Sequence, residues 1–106
     1  MGEKINIAAA LSEFKDKLSK KIKVQKMILF GSYATGNYTK DSDIDLLIVS
    51  PDFNDKRFTK RSIGFYKHWS LDLPVDYICY TPSEFDKLKK RISLVSTALK
   101  EGIVIS

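Results

Sequence analysis

Cysteine and histidine are nearly absent from this chain: Cys79 and His68 are the sole examples among 106 residues. One cysteine excludes an internal disulfide and cannot by itself make a metal site. Cys79 lies in the apolar run "PVDYICYT" and reads as a small buried hydrophobe. His68, beside Trp69, reads as a packing or exposed residue and not as a catalytic base. No apolar stretch approaches a bilayer-spanning length, and residues 1–15 carry two acids in no signal-peptide pattern. A cytoplasmic protein with no membrane partner is expected. Repeats, low-complexity tracts and linkers are also missing, and 106 residues suffice for one core but not two. Residues 1–106 are therefore expected to form a single domain.

Basic residues outnumber acidic ones, 18 to 13, for a formal charge of +5. They cluster in "KKIKVQK", "DKRFTKR" and "KLKKR", which on helices read as solvated faces. Nucleic acid is not expected as a partner of this chain alone.

Apolar spacing supplies the elements. Ile7, Leu11, Phe14, Leu18 and Ile22 predict an amphipathic helix over 5–22. "VQKMILF" (24–30) predicts a strand, and "DIDLLIV" (43–49) a central strand buried on both faces. Residues 55–70 read as helical with Phe58, Phe65 and Trp69 toward the core. "PVDYICYT" (74–81) is a third strand. Thr81, Pro82 and Glu84 then spell a helix start, and Phe85, Leu88, Ile92, Val95 and Leu99 continue one helix to Gly102. "IVIS" adds a short edge strand. The fold class is α/β (α+β), one small mixed sheet with flanking helices.

The chemistry sits in "LFGSYATGNYTKDSDIDLLIV" (29–49). Strand alternation sends Asp43 and Asp45 to one face, and Asp76 reaches that face if its strand pairs alongside. Carboxylates so placed repel one another unless a cation sits between them. Three on adjacent strands suit a two-metal site for phosphoryl transfer, with Mg²⁺ as the hard cation. Gly31 lets the backbone approach a phosphate closely, Ser32 adds a hydroxyl donor, and Gly36 helps turn the chain back. Other phosphate and cation motifs fit poorly. An EF-hand needs Gly and Glu where Leu46 and Asp52 stand, a Walker loop needs Gly-Lys, and a phosphatase Asp-x-Asp follows its strand.

Gly31-Ser32, ten residues, then Asp43-x-Asp45 and an apolar strand resembles the DNA polymerase β-type nucleotidyltransferase superfamily. "GSYATG", "SDIDLLIV" and the terminal "EGIVIS" are most similar to its minimal nucleotidyltransferases, the MNT proteins paired with HEPN-domain partners. The likeness runs from the strand at 24–30 through that at 74–81, and departs at Thr35, where many relatives carry a basic residue. It implies the polymerase β-like fold and transfer of AMP from ATP to a hydroxyl. The implied acceptor is a HEPN-type protein neutralised as the toxin of a toxin–antitoxin pair. Asp43, Asp45 and Asp76 would hold two Mg²⁺ ions and serve catalysis, and Gly31 and Ser32 would bind the nucleotide. The alternative is a non-catalytic antitoxin acting by contact.

Overall fold

A computed structural model describes residues 7–106. Its elements are α1 (Ile7–Leu18), β1 (Lys26–Phe30), α2 (Ser32–Thr35), β2 (Ile44–Val49), β3 (Val75–Tyr80), α3 (Pro82–Leu88), α4 (Leu94–Glu101) and β4 (Ile103–Val104). The sheet is mixed, in the order β3-β2-β1-β4. β1 runs antiparallel to β2 and β4, whereas β2 and β3 are parallel. Among the described residues no helix is long and apolar enough to cross a membrane.

The near-continuous apolar run of β2 is explained by its two buried faces. Ile44, Leu46 and Ile48 join Leu29 and the α1 stripe of Leu11, Phe14 and Leu18 in one core. Leu47 and Val49 join Ile28, Phe30, Phe85, Val95 and Ala98 in the other, beneath α3 and α4. At about 25 cal/mol per Å² of apolar surface buried, these two layers supply the main driving force for folding.

Five expectations are corrected. The first helix stops at Leu18, and its expected residues 5 and 6 lie outside the described residues. Ile22 still packs on the core from the turn beyond. Residues 55–70 are not one helix but short 3₁₀ turns, including Phe58–Lys60 and Phe65–His68, broken at Gly64 with φ +89°. Phe65 and Trp69 do pack inward, around Phe14 and Tyr77. Phe58 does not; it is 51% exposed beneath the Arg61 guanidinium.

The helix expected to run to Gly102 is broken at Ser93. Ser93 Oγ donates to the Leu88 carbonyl (2.6 Å) and accepts from the Ser96 N–H (3.2 Å), ending one helix and capping the next. Ile92 is thereby expelled from the core to full exposure. The Thr81/Glu84 capping box forms as the sequence predicts. Gly102 caps α4 with its N–H on the Ala98 carbonyl (2.7 Å), at a position where a Cβ would collide with that carbonyl and stand 2.6 Å from Ile28 Cγ2.

Arg61 belongs to the basic cluster "DKRFTKR" expected on a solvated face, and the structure places it inside. It is buried, and its guanidinium donates to the Lys56 carbonyl (3.1 Å), the Cys79 carbonyl (3.1 Å) and both oxygens of Glu84 (2.5 and 3.2 Å). This fork ties the irregular 55–70 segment to β3 and α3.

Candidate active site

The antiparallel pairing of β1 with β2 brings the end of β1 beside the start of β2, with Phe30 opposite Asp45. The parallel pairing of β2 with β3 then sets Asp45 opposite Asp76. Register partners in a sheet point to the same face, so these two carboxylates stand side by side. Asp43 falls one residue before β2 and two before Asp45, at the same sheet end. Ile44 N–H bonds the Pro74 carbonyl at 2.9 Å, fixing the two strand starts against each other.

Gly31 completes the corner. Its backbone, at φ 76° and ψ −156°, is one that side-chain-bearing residues avoid. A Cβ on Gly31 would collide with Asp45 Oδ2. The sequence reads this glycine as room for a phosphate; in the structure its missing side chain leaves room for the Asp45 carboxylate. Gly31 thus opens a one-turn helix while the strand-borne acid packs against its backbone. Ser32 is half-buried at the start of that turn, and Gly36, left-handed at φ 86°, ends it. Thr35 is exposed; its hydroxyl donates to the Gly31 carbonyl (3.4 Å) and accepts from Asn37 Nδ2 (3.3 Å). It braces the turn it ends.

The electrostatics follow from the geometry. The Asp45 carboxyl is held above its ordinary pKa of 3.8, first by burial and then by the charges of Asp76 and Asp43. The three acids therefore form one interacting cluster. Among the described residues no three His, Cys, Asp or Glu side chains stand close enough together to hold a metal ion as they are placed. The donor set nevertheless fits a hard divalent cation. It is all carboxylate oxygen, lies on adjacent strands, and carries a mutual repulsion that a cation would relieve.

A stability consequence can be measured without metal. A carboxyl whose folded pKa is raised above its unfolded value destabilises the fold at neutral pH, and that cost fades as pH falls through the raised value. Asp45→Asn is accordingly expected to raise Tm in chelator at pH 7, with the gain shrinking as the pH approaches 3.8. Thermal unfolding across that range checks it. A lower Tm for the variant at every pH would show that the carboxylate is stabilised where it stands.

Residues 11–105 match the family described as "Nucleotidyltransferase domain". Two Methanocaldococcus jannaschii proteins are similar in sequence. One, named "Putative protein adenylyltransferase MJ0604", is 51% identical over 47 residues, covering 42% of this chain and 47% of that protein. The other, named "Putative protein adenylyltransferase MJ0141", is 34% identical over 80 residues, covering 72% of this chain and 81% of that protein. This chain thus matches about half the length of the first and most of the second. A crystal structure described as "a putative nucleotidyltransferase from Sulfolobus solfataricus" shares the fold. It aligns at TM-score 0.64 and 20% identity over 98% of this chain and 89% of that one. With the family match spanning nearly all of its length, this chain belongs to the nucleotidyltransferase domain family.

Proposed function

We propose that this chain, acting as one nucleotidyltransferase domain over 1–106, transfers AMP from ATP to a hydroxyl side chain of a HEPN-type partner protein, as the antitoxin of a toxin–antitoxin pair. One observation carries the transfer chemistry: Asp45 stands in register with Asp76, inside a cluster that includes Asp43 and is backed by Gly31. Relatives named as protein adenylyltransferases support a protein acceptor.

In this reading Asp43, Asp45 and Asp76 hold two Mg²⁺ ions, which supply charge neutralisation at the transferring phosphoryl group. Gly31 and Ser32 seat the triphosphate. Asp76, exposed at the sheet edge, also takes the proton of the acceptor hydroxyl. The acceptor oxygen forms a bond to the α-phosphorus, and the bond from that phosphorus to the bridging oxygen breaks, releasing pyrophosphate.

The acceptor needs a docking surface. The 55–70 segment forms a groove with the end of α1, toward the sheet end opposite the acids: Leu18, Ile22 and Phe65 line its apolar floor, and Lys21, Lys56 and Lys67 its rim. Such a groove suits a protein surface with aliphatic side chains ringed by acids.

The test is to mix the protein with a HEPN-type protein encoded beside it, Mg²⁺ and ATP, and weigh that neighbour by mass spectrometry. A gain of AMP units is expected, abolished by Asp43→Asn. A stable complex with unchanged mass, with any of the four nucleotides, would instead establish an antitoxin acting by contact.

A further inference from the structure

The site as described has an unbalanced charge. Three carboxylates stand at one end of the sheet, yet a triphosphate is itself strongly anionic. Its outer oxygens remain negative even with divalent ions bound, so a fixed cation at that end would favour binding. The sequence narrows the choice. Between Lys26 and Lys56 there is one basic residue, Lys40. The segment that builds the phosphate corner and two of the three acids therefore contains a single cation.

Its placement is defined. Thr39 to Ser42 forms a β-turn closed by the Ser42 N–H on the Thr39 carbonyl at 3.1 Å. Side chains brace it from both ends. Ser42 Oγ accepts from the Thr39 N–H at 2.8 Å, and Thr39 Oγ1 accepts from the Asp41 N–H at 3.2 Å. Lys40 occupies the second position of this turn and is exposed. The turn ends at Ser42, directly before Asp43, so the Lys40 Cα is within about 11 Å of the Asp43 Cα along the chain. A lysine side chain extends over much of that span. Among the described residues no carboxylate lies within ion-pair distance of the Lys40 ammonium, neighbouring Asp41 included. The tip of a braced turn thus carries an exposed lysine, without an ion pair among the described residues, on the segment that leads directly into Asp43.

We propose that Lys40 binds the outer phosphates of the nucleoside triphosphate, as the fixed cation of this site. The assignment rests on the nucleotidyl-transfer reading above, and it adds a residue which that reading did not use. Lys40 touches the leaving pyrophosphate portion of the substrate, so its contribution depends on the polyphosphate and not on the base. Ammonium and phosphate are both charged, so this contact belongs to the stronger class of hydrogen bonds.

Calorimetric titration separates the possibilities. Wild type, Lys40→Met, Lys40→Arg and Lys100→Met are titrated with Mg-ATP and with Mg-tripolyphosphate. Lys100→Met removes an equal charge from an exposed residue of α4, and so controls for net charge. Lys40→Met is expected to weaken both ligands by about tenfold or more, the loss typical of one charged hydrogen bond. Lys40→Arg should recover most of that loss, and Lys100→Met should bind like wild type. In the transfer assay Lys40→Met should raise KM for ATP. An unchanged Tm in Lys40→Met confirms that folding is intact. Wild-type affinity in Lys40→Met, or an equal loss in Lys100→Met, would overturn the assignment of Lys40 while leaving the nucleotidyl-transfer reading in place. Failure of the wild-type protein to bind either ligand would overturn both.

Discussion

Gly31→Ala is expected to lose both stability and nucleotidyl transfer, although it adds a single methyl group. Two independent costs meet at this position. At φ 76° and ψ −156° the backbone lies in a region that only glycine occupies freely, where an alanine costs about 1–3 kcal/mol. The added Cβ would also fall on the Asp45 carboxylate. Asp45 must then rotate away or the α2 turn must lift, and either movement separates the acid from Asp76 and Asp43. A displacement on the order of 1 Å at such a site costs roughly 10²-fold in rate. Chemical denaturation and the mass-spectrometric transfer assay measure the two effects separately. A Gly31→Ala protein with wild-type stability and transfer would remove the contact between Gly31 and Asp45 from any role. Separation of the losses is informative too: Ser32→Ala, which introduces no clash, should weaken nucleotide binding without lowering Tm.

Arg61→Met is expected to give the largest loss of stability among exchanges away from the acids. The guanidinium is buried and serves acceptors on three segments: the Lys56 carbonyl, the Cys79 carbonyl and the Glu84 carboxylate. Leaving the buried Cys79 carbonyl without its donor costs about 1–3 kcal/mol by itself. The 55–70 segment has no continuous helix of its own to hold it in place, so loss of this fork also frees the connection between β2 and β3. Arg61→Lys should rescue little, because a lysine cannot reproduce the planar fork. Glu84 gives the pH signature. The bond from Arg61 holds its carboxyl below the ordinary value of 4.5, assisted by Thr81 and opposed by burial. A depressed carboxylate contributes stability that is present above its unfolded pKa and lost as pH falls through the folded one. Wild-type Tm should therefore decline below pH 4.5 more steeply than that of Glu84→Gln. Parallel acid limbs in the two proteins would show that the pair is energetically idle. Glu84 is 40% exposed on its side chain, so Glu84→Gln itself should cost less than Arg61→Met.

The sequence by itself determined the parts that depend on local pattern. The apolar run after Asp45 required a strand buried on both faces, and β2 lies inside the sheet. Thr81, Pro82 and Glu84 fixed a helix start because a capping box needs only two positions three residues apart and nothing distant. The spacing of Gly31, Asp43 and Asp45 raised the candidate site as an expectation; strand alternation covers Asp45, whereas Asp43 falls one residue before β2. Tertiary structure decided what depends on partners remote in the chain. Only the β2–β3 register set Asp76 opposite Asp45; a slip of one residue would have turned it to the other face. Periodicity carried the last helix through Ile92, but the Ser93 hydroxyl found the Leu88 carbonyl and ended it. The charge of the "DKRFTKR" cluster also put Arg61 in water. Three acceptors brought together by folding drew it inside, because a buried guanidinium is tolerated only where its donors are satisfied. The same physics gives Gly31 its meaning: a glycine in sequence is only permission, and the carboxylate that uses the space arrives from a strand residue fourteen positions on.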